Sequence, residues 1–398
     1  MKEYRFILGG YTRRSNKGIH ILNIGIDGLG HEKADNKGCM DSSLAGKEKL
    51  ACDKLLGPRA KDQSRLLLEI EDPSYMALEA NKLFVLSSRD EGGVLAYDFD
   101  KERGQLDFIS EVGKLGKAPC HLYFDQKKSL LYASNYHLGR LDILSLDKVG
   151  LSLAKSIGLE GSGPVSPNQD GPRCHMAIKD PNDKYTLVVN LGGDRIDTYC
   201  IDDNRAVLVA SYQTRPGMGP RHMVFGPDSK YAYLMGELDS TVEVLAYDDV
   251  KGILSHVNRV SSLPVGSESF TGNSGAAIKV SKIKNKAGKH NLYVSNRGHD
   301  SLSVYELGDE GGIRFLQNIG SGGKNPRDFA LSPDEKFILV GHQDSNDIVL
   351  FERLGDGSLV KSKRLDSRLD EIVCIIPLDS FIDCLNLGIF GKKDLNGG

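Results

Sequence analysis

The sequence contains no tryptophan, and none of its apolar runs approaches the roughly 20 residues that span a bilayer. The missing tryptophan excludes repeats whose signature is a Trp-Asp pair. The segment from Met1 to Leu8 lacks the apolar core and cleavage site of a secretory signal. Seven cysteines are dispersed without Cys-x-x-Cys spacing, which indicates reduced thiols rather than a disulfide framework. We therefore expect a cytoplasmic protein.

A strong charge of either sign is also missing. The 398 residues have a formal net charge of -3, which gives no reason to expect a nucleic-acid or membrane-surface partner. Helical periodicity does not continue for more than a few residues anywhere in the chain. Short segments instead alternate between apolar and polar residues, as in Thr241–Tyr247, and this period of two is typical of strands.

These short strands belong to a repeat. Each unit opens with a strand, often after a proline, and continues through a polar turn, a second strand, a polar loop and two further strands. The opening prolines recur at intervals of roughly 50 residues, which fits propeller blades of four strands. They are Pro73, Pro119, Pro172, Pro220 and Pro326. A sixth unit opens near Ala276.

The seventh unit is divided between the two ends of the chain. Residues 371–376 provide one strand, and residues 6–8 and 18–22 provide others. Their association in one blade would close the ring and remove exposed sheet edges. We predict an all-β, seven-bladed β-propeller with four-stranded blades, closed by N- and C-terminal strands in one blade. Residues 1–384 would form one domain with an insertion loop at 31–65, and residues 385–398 a tail.

Polar residues recur at two positions of the repeat that this topology brings to one channel mouth. The starts of the first strands contain His121, Arg173, His175, Arg221, His222 and Arg327. The loops after the second strands contain His137, Asp194, Glu237, Arg297, His299 and His342. A pocket rich in arginine suits an anionic substrate, since the guanidinium fork matches carboxylate or phosphate.

Glu237 is the candidate general base, because a carboxylate among arginines can orient and deprotonate a water while Arg and His hold the developing oxyanion. Arg and His, rather than the oxygen ligands of a hard cation, dominate the pocket. We therefore expect neither a metal nor another cofactor.

Ordinary structural roles remain open for several of these residues. Asp194 could be a turn residue, and Arg327 could form a salt bridge between blades. Four histidines could be backbone-bonded or solvated residues: His137, His222, His299 and His342. The set Arg221, Glu237 and Arg297 is best suited to a functional role, because three charges are predicted to meet at one mouth.

Five segments together resemble a known family. They are Ala118–His121, Ser134–His137, Gly219–His222, Asn296–Ser301 and Asn325–Phe329. In order and spacing they resemble the lactonase seven-bladed propellers, which include 6-phosphogluconolactonases and a carboxymuconate cycloisomerase. The resemblance extends over nearly the whole chain.

The resemblance implies a catalytic set of His175, Arg221, Glu237 and Arg297 and a ring opening by water. Glu237 or His175 would activate the water, and the arginines would bind the acid group and the tetrahedral intermediate. We predict further substrate contacts from His121, Arg173, His222, Arg327 and Asp194. Where the family commonly has a His-x-His pair, this chain has Arg173-Cys174-His175.

The expected activity is hydrolysis of a sugar lactone, foremost 6-phospho-D-glucono-1,5-lactone to 6-phosphogluconate in the pentose phosphate pathway. Two alternatives remain open. One is a cycloisomerase acting on a muconate-type dicarboxylate with the same residues, and the other is a non-catalytic propeller that serves as a binding platform. The expected partner is a small anionic lactone, and the sequence does not indicate an oligomeric state.

Overall fold

The computed structural model describes five stretches of the chain, residues 2–26, 63–202, 205–267, 270–365 and 369–378. Within these stretches the chain forms seven antiparallel sheets of four strands, arranged as blades around a central channel. Helix is limited there to the single turns Arg89–Glu91 and Asp309–Gly311. The predicted seven-bladed propeller is confirmed. In the described residues no helix is long and apolar enough to cross a membrane.

The blades are numbered one to six in chain order, and the blade that joins both chain ends is called the closing blade. The closing blade contains β1 (Lys2–Gly10), β2 (Gly18–Ile26), β3 (Gln63–Glu69) and β28 (Ile372–Leu378). Blade one contains β4 (Met76–Glu79), β5 (Lys82–Ser87), β6 (Gly93–Asp100) and β7 (Gln105–Val112). Blade two contains β8 (His121–Asp125), β9 (Leu130–Asn135), β10 (Arg140–Leu146) and β11 (Leu151–Gly158). Blade three contains β12 (Cys174–Lys179), β13 (Thr186–Asn190), β14 (Arg195–Ile201) and β15 (Ala206–Gln213).

The remaining three blades follow the same order from the channel outward. Blade four contains β16 (Pro220–Phe225), β17 (Tyr231–Gly236), β18 (Thr241–Asp248) and β19 (Ile253–Ser261). Blade five contains β20 (Ser274–Val280), β21 (Asn291–Arg297), β22 (Ser301–Leu307) and β23 (Ile313–Gly320). Blade six contains β24 (Pro326–Leu331), β25 (Phe337–His342), β26 (Ile348–Arg353) and β27 (Leu359–Leu365).

The hydrophobic core lies between neighbouring blades rather than at one centre. Every residue of β9 and of β13 is buried, because each middle strand is covered on both faces by adjacent blades. The outermost strands are largely exposed, as in β11. Between blade six and the closing blade, for example, Phe6 packs in one cluster with Phe337. Each blade therefore depends on its neighbours for burial of its two faces.

Both chain ends meet in the closing blade, as predicted. Strand β28 pairs antiparallel with β1, with Ile7 opposite Ile376. Most of the predicted insertion, 31–65, lies outside the described residues, but its last three residues belong to β3, which begins at Gln63. The predicted tail, 385–398, also lies outside them. The long loop at 161–171 is held by the buried Gln169, whose side chain donates to the carbonyl of Leu191 at 2.9 Å.

A β-bulge on the innermost strand decides which side chains point into the channel. In blade four the register shifts between Pro220 and His222, and this leaves Arg221 as the extra residue. The same shift makes His175 the extra residue in blade three and Arg327 that in blade six. A bulge turns an extra side chain out of the regular alternation of the strand. Three of the predicted site residues therefore come from one recurring backbone irregularity, and we call them the bulge residues.

Candidate active site

A cavity of about 540 Å³ opens at the channel mouth. The predicted site residues in its wall are His137, His175, Arg221, His222, Glu237, Arg297 and Arg327. The bulge residues reach it from the first strands of their blades. Glu237 and Arg297 reach it from the end of the second strand, since Glu237 follows β17 directly and Arg297 is the last residue of β21. Two repeated positions thus supply the charged wall.

Glu237 lies at the centre of the charged cluster. Its Oε2 atom forms ion pairs with Nε of Arg221 at 2.8 Å and with Nη2 of Arg297 at 3.0 Å. Nε2 of His175 lies 3.8 Å from the same oxygen, too far for a hydrogen bond. Residues separated by 122 positions in the sequence, from His175 to Arg297, are thereby assembled around one carboxylate oxygen.

Both arginines are fixed by neutral acceptors of blade five, which neighbours Arg221 and contains Arg297. Nη1 of Arg221 donates to the carbonyl of Ala276 at 2.8 Å. Nη2 of Arg297 donates to Oγ of Ser274 at 2.7 Å and to the carbonyl of Gly275 at 2.9 Å. These bonds hold the guanidinium groups without neutralising them, so the positive charge remains available to Glu237 and to a ligand.

The charges of the cluster determine its protonation. Burial alone would raise the pKa of Glu237, but Arg297, Arg221 and Arg327 outweigh burial and lower it. Burial and then the charge of Arg297 lower the pKa of Arg221 to about 10. At neutral pH the cluster therefore contains an ionised carboxylate between charged guanidinium groups.

Three histidines lie against this cluster and remain neutral; His121 and His175 are buried and His222 is half-buried. The rings of His175 and His222 meet edge to face at 5.0 Å, and those of His222 and His121 at 5.4 Å. Burial, followed by charge from Lys279 and Arg221, lowers the pKa of His121 to about 3. Burial, followed mainly by Arg221, lowers the pKa of His175 and of His222 well below the ordinary value. They are weak bases that place uncharged imidazole below the mouth.

His121 contributes to the base of this cluster rather than to the cavity wall. It is buried, and its ring packs on Tyr75 with centroids 4.7 Å apart. His137 does line the cavity, and burial lowers its pKa. The structure thus brings two predicted histidines, His175 and His222, into the wall beside the charges and places His121 beneath them.

Arg173 is not part of the cavity wall. Its guanidinium lies over the ring of Tyr136, 5.4 Å from the centroid. The physical reason is the strand register: β12 begins at Cys174, so the position equivalent to Arg221 is His175 and not the residue after Pro172. The proline spacing predicted that blade three opens at Pro172, two residues before β12 begins.

Asp194 also does not reach the cavity wall. It is buried, and its carboxylate accepts the backbone N–H groups of Gly217 at 2.7 Å and Gly219 at 2.8 Å. Asp300 does the same in the next-but-one blade, where it accepts the backbone N–H of Asn325 at 2.8 Å. Both aspartates tie the loop after a second strand to the chain that leads into the following blade. This geometry matches the turn role that the sequence left open for Asp194.

Two further histidines have local partners away from the cavity. Nδ1 of His299 lies 2.8 Å from Oγ of Ser301, and its ring packs on Phe270. His342 is buried at the end of β25, with Nδ1 2.7 Å from the carbonyl of Asp347. Neither ring lines the cavity.

Sequence reasoning overlooked several wall residues, among them Tyr11, Tyr75, Cys120, Tyr136 and Lys279. Tyr11 and Tyr136 follow β1 and β9 as Glu237 follows β17, so alignment of the second strands would have found them. Cys120 lies against His175, with Sγ 3.4 Å from its carbonyl oxygen. Burial raises the pKa of this thiol to about 12, so it stays protonated. Among the described residues, no group of three or more His, Cys, Asp and Glu side chains is placed to hold a metal ion.

Comparison with known proteins gives a consistent result. A family model described as "Lactonase, 7-bladed beta-propeller" matches residues 59–377. A 6-phosphogluconolactonase of Bacillus subtilis (strain 168) is 34% identical over 302 residues, which cover 74% of this chain and 84% of the relative. An uncharacterized protein of Lactococcus lactis subsp. cremoris is 32% identical and covers 95% of this chain and 100% of the relative. A crystal structure of a protein from Lactobacillus plantarum matches with a TM-score of 0.79 and 29% identity, over 95% of this chain and 100% of the other.

Proposed function

The chain belongs to the lactonase family of seven-bladed β-propellers, and we propose that it hydrolyses 6-phospho-D-glucono-1,5-lactone to 6-phosphogluconate. The observation that carries this proposal is the Glu237 carboxylate, held between Arg221 and Arg297 at the mouth of a substrate-sized cavity. The related 6-phosphogluconolactonase of Bacillus subtilis supports the choice of substrate.

The first step is attack of water on the lactone carbonyl carbon. Both ion pairs of Glu237 use Oε2, so Oε1 remains to accept a hydrogen bond from the attacking water. As the C–O bond forms, the carboxylate takes one proton from that water, and the carbonyl oxygen gains the negative charge. Because the arginines lower its pKa, Glu237 is a weak base that is ionised throughout the neutral range.

A weak base requires strong stabilisation of the oxyanion. Arg221 and Arg297 carry this charge in a site where both are largely buried, with 4% and 14% of their side chains exposed. Their positions are fixed before substrate binds, by Ala276 in one case and by Ser274 and Gly275 in the other, so little reorganisation is needed. Collapse of the intermediate breaks the ring C–O bond, and the proton held by Glu237 passes to the leaving ring oxygen.

The role of His175 differs from that of a base in this scheme. Its ring is neutral and 3.8 Å from the Glu237 carboxylate. A neutral imidazole can fill this space without adding a third positive charge beside Arg221, and it can hydrogen-bond the bound lactone. We therefore assign the proton transfer to Glu237 and a positioning role to His175.

The experiment that tests the proposal is hydrolysis of freshly prepared 6-phosphogluconolactone, measured above the spontaneous rate. We expect Glu237→Gln to lower kcat about 100- to 1000-fold with little change in KM, since a positioned base contributes factors of this size. Glu306→Gln is the matched control, because that carboxylate pairs with Arg314 on the outside of blade five. If the unaltered protein and Glu237→Gln both match the spontaneous rate, the lactone is not the substrate.

Two further measurements refine the test. Because the pKa of Glu237 is lowered, the enzymatic rate should be flat from about pH 5 to 8 and should fall only below the ordinary carboxyl value of about 4.3. Prior treatment with EDTA should leave the rate unchanged, and a chelator-sensitive rate would contradict the metal-free scheme. A muconolactone-type dicarboxylate in parallel would identify a cycloisomerase.

The location and pathway follow from the proposed substrate. A phosphorylated sugar lactone is anionic, and charged groups cross the hydrocarbon core of a membrane at high cost. The hydrolase must therefore share the compartment in which the lactone forms, and we propose the cytoplasm and the pentose phosphate pathway. Exclusive recovery of the native protein in an extracellular fraction would contradict this assignment.

A further inference from the structure

Two bulge residues, Arg221 and Arg327, occupy equivalent positions but have different partners. In blade four the residue after the second strand is Glu237, and it forms an ion pair with Arg221 at 2.8 Å. In blade six the residue after the second strand is Gln343, a neutral amide. Oε1 of Gln343 lies 3.4 Å from Nη1 of Arg327, which is a long contact. The same backbone geometry therefore leaves the charge of Arg327 unneutralised by its own blade.

The carboxylate adjacent in sequence does not neutralise Arg327 either. Oδ2 of Asp328 accepts the backbone N–H of Ile375 at 2.8 Å, and Oδ1 pairs with Nζ of Lys279 at 3.5 Å. Asp328 thus joins blade six to blade five and to the closing blade. The salt bridge between blades that the sequence left open for Arg327 is made by its neighbour instead.

The charge of Arg327 acts on the reaction site without contacting Glu237 directly. It contributes to the lowered pKa of Glu237 and of His175, and both residues share the cavity wall with it. The ion pairs that hold Glu237 come from Arg221 and Arg297, so Arg327 is not needed to position the base. Its guanidinium fork is available to a ligand.

The charge balance of the cluster indicates what that ligand carries. In the cavity wall Lys279 pairs with Asp328, and the guanidinium groups of Arg221, Arg297 and Arg327 accompany the carboxylate of Glu237, so these groups together leave two positive charges. A phosphate monoester carries about -1.5 to -2 at neutral pH, whereas a lactone ring is uncharged. A phosphate on the substrate therefore balances both remaining positive charges, whereas a single carboxylate would balance only one of them.

We propose that Arg327 binds the phosphate of the substrate and makes the site selective for phosphorylated over neutral sugar lactones. This inference rests on the proposed lactonase function and adds to it the residue that distinguishes the two substrate classes. The lactone carbonyl lies at Glu237, Arg221 and Arg297, and the phosphate points toward blade six. Gln343 orients the guanidinium without competing for its charge.

Steady-state hydrolysis of 6-phosphogluconolactone and of unphosphorylated glucono-1,5-lactone tests the assignment. Arg327→Gln should raise KM for the phosphorylated lactone about 10- to 100-fold, as expected for loss of charge-assisted hydrogen bonds, with kcat within about twofold. Its effect on KM for the neutral lactone should be much smaller, because that substrate brings no charge to Arg327. Equal loss with both lactones, or no loss with either, would overturn the proposal.

Two variants distinguish charge from general disruption. Gln343→Glu recreates the pairing of blade four, keeps Arg327 and should still raise KM for the phosphorylated lactone about 10-fold, because the phosphate then competes with a carboxylate. Arg327→Lys keeps the charge but loses the planar fork, so its KM should lie between those of the unaltered protein and Arg327→Gln. Arg314→Gln on the outer surface is the control and should change neither KM. Unaltered KM in Gln343→Glu would contradict the role of uncompensated charge.

A binding measurement separates this inference from the proposed function. Calorimetric titration with 6-phosphogluconate does not require catalysis, and we expect Arg327→Gln to weaken binding at least 10-fold while binding of gluconate stays the same. Suppose that the unaltered protein hydrolyses neither lactone but binds 6-phosphogluconate more tightly than Arg327→Gln does. The lactonase proposal then fails, and the phosphate site stands. If 6-phosphogluconate binds equally to both proteins, or to neither, the phosphate site is wrong whatever the activity.

Discussion

Blades four and six are built alike around the channel but have different chemistry. Each opens with a proline, and each has a bulge that turns an arginine into the cavity. In blade four the second strand ends beside a carboxylate, so Arg221 is paired with Glu237 and becomes part of a rigid reaction centre. In blade six it ends beside an amide, so Arg327 keeps its charge. The difference between Glu237 in one blade and Gln343 at the equivalent place in the other therefore decides the role of the arginine. Arg221 holds the base, whereas Arg327 can hold a ligand.

The contrast continues at the next position of the first strand. His222 in blade four is half-buried and neutral among other rings. Asp328 in blade six is charged and bonds the closing strand β28 through Ile375. The fold therefore fixes where side chains meet, and the residue types at two or three repeated positions decide whether a blade supports chemistry, ligand binding or ring closure.

The largest expected effect is a difference between Arg221 and Arg327 in how much each side chain stabilises the folded protein. Arg221→Met removes one partner of a buried ion pair and leaves Glu237 with Arg297 alone, so it should lower the free energy of unfolding by about 3 kcal/mol. Arg327→Met removes an unpaired charge and should change it by less than about 1 kcal/mol. Urea unfolding of both variants at neutral pH measures the difference.

A second variant shows whether the cost arises from the ion pair itself. In the double variant Arg221→Met, Glu237→Gln the loss should be about 1 kcal/mol smaller than the sum of the losses in the two single variants, because both substitutions remove the same ion pair. Similar losses for Arg221→Met and Arg327→Met would mean that the two blades do not differ in charge pairing as described.

The next effect concerns the neutral histidines that distinguish blades two and four from blade six. The folded-state pKa of His121 is lowered to about 3, against about 6.5 in the unfolded chain. Between these values the unfolded chain takes up a proton that the native protein does not, so stability falls as the pH falls below 6.5. The slope is about 1.4 kcal/mol per pH unit for each such histidine. His121→Phe keeps the ring packing and should recover about 2 kcal/mol at pH 5 relative to pH 7.

The measurement is the free energy of unfolding of the unaltered protein and His121→Phe at pH 5 and pH 7. An equal pH dependence in the unaltered protein and His121→Phe would mean that His121 titrates normally in the native state.

Much of this arrangement could be read from the sequence. Short alternating segments, turn residues and the interval between prolines predict the blades, because strand burial and turn chemistry are local properties. The split blade followed from the same pattern at both chain ends. The meeting of Arg221, Glu237 and Arg297 followed from topology, since equivalent points of a closed ring face the same channel.

The structure departs from the expected placement where the local signal ends. Arg173 was placed by Pro172, but β12 begins two residues after that proline, at Cys174. A bulge is a property of strand pairing, and the sequence of one strand does not reveal where its register with the partner strand shifts. The edge-to-face contact of His121 with His222 was likewise hidden, because it depends on the distance between blades two and four across the channel.

The smallest expected effect concerns Asp328, which holds the closing strand β28, whereas His222 at the equivalent position of blade four carries no charge. Asp328→Asn removes the 3.5 Å ion pair with Lys279, whose side chain is 39% exposed, so this loss alone should be under 1 kcal/mol. The amide oxygen can still accept the backbone N–H of Ile375, but a neutral acceptor is weaker than a carboxylate. Together these changes should lower the free energy of unfolding by about 1 kcal/mol and speed amide exchange at Ile375 more than at Ile7. Exchange that is unchanged at Ile375 would show that the closing strand is held by its pairing with β1 alone. Blade six would then differ from blade four only in having Gln343 where blade four has Glu237.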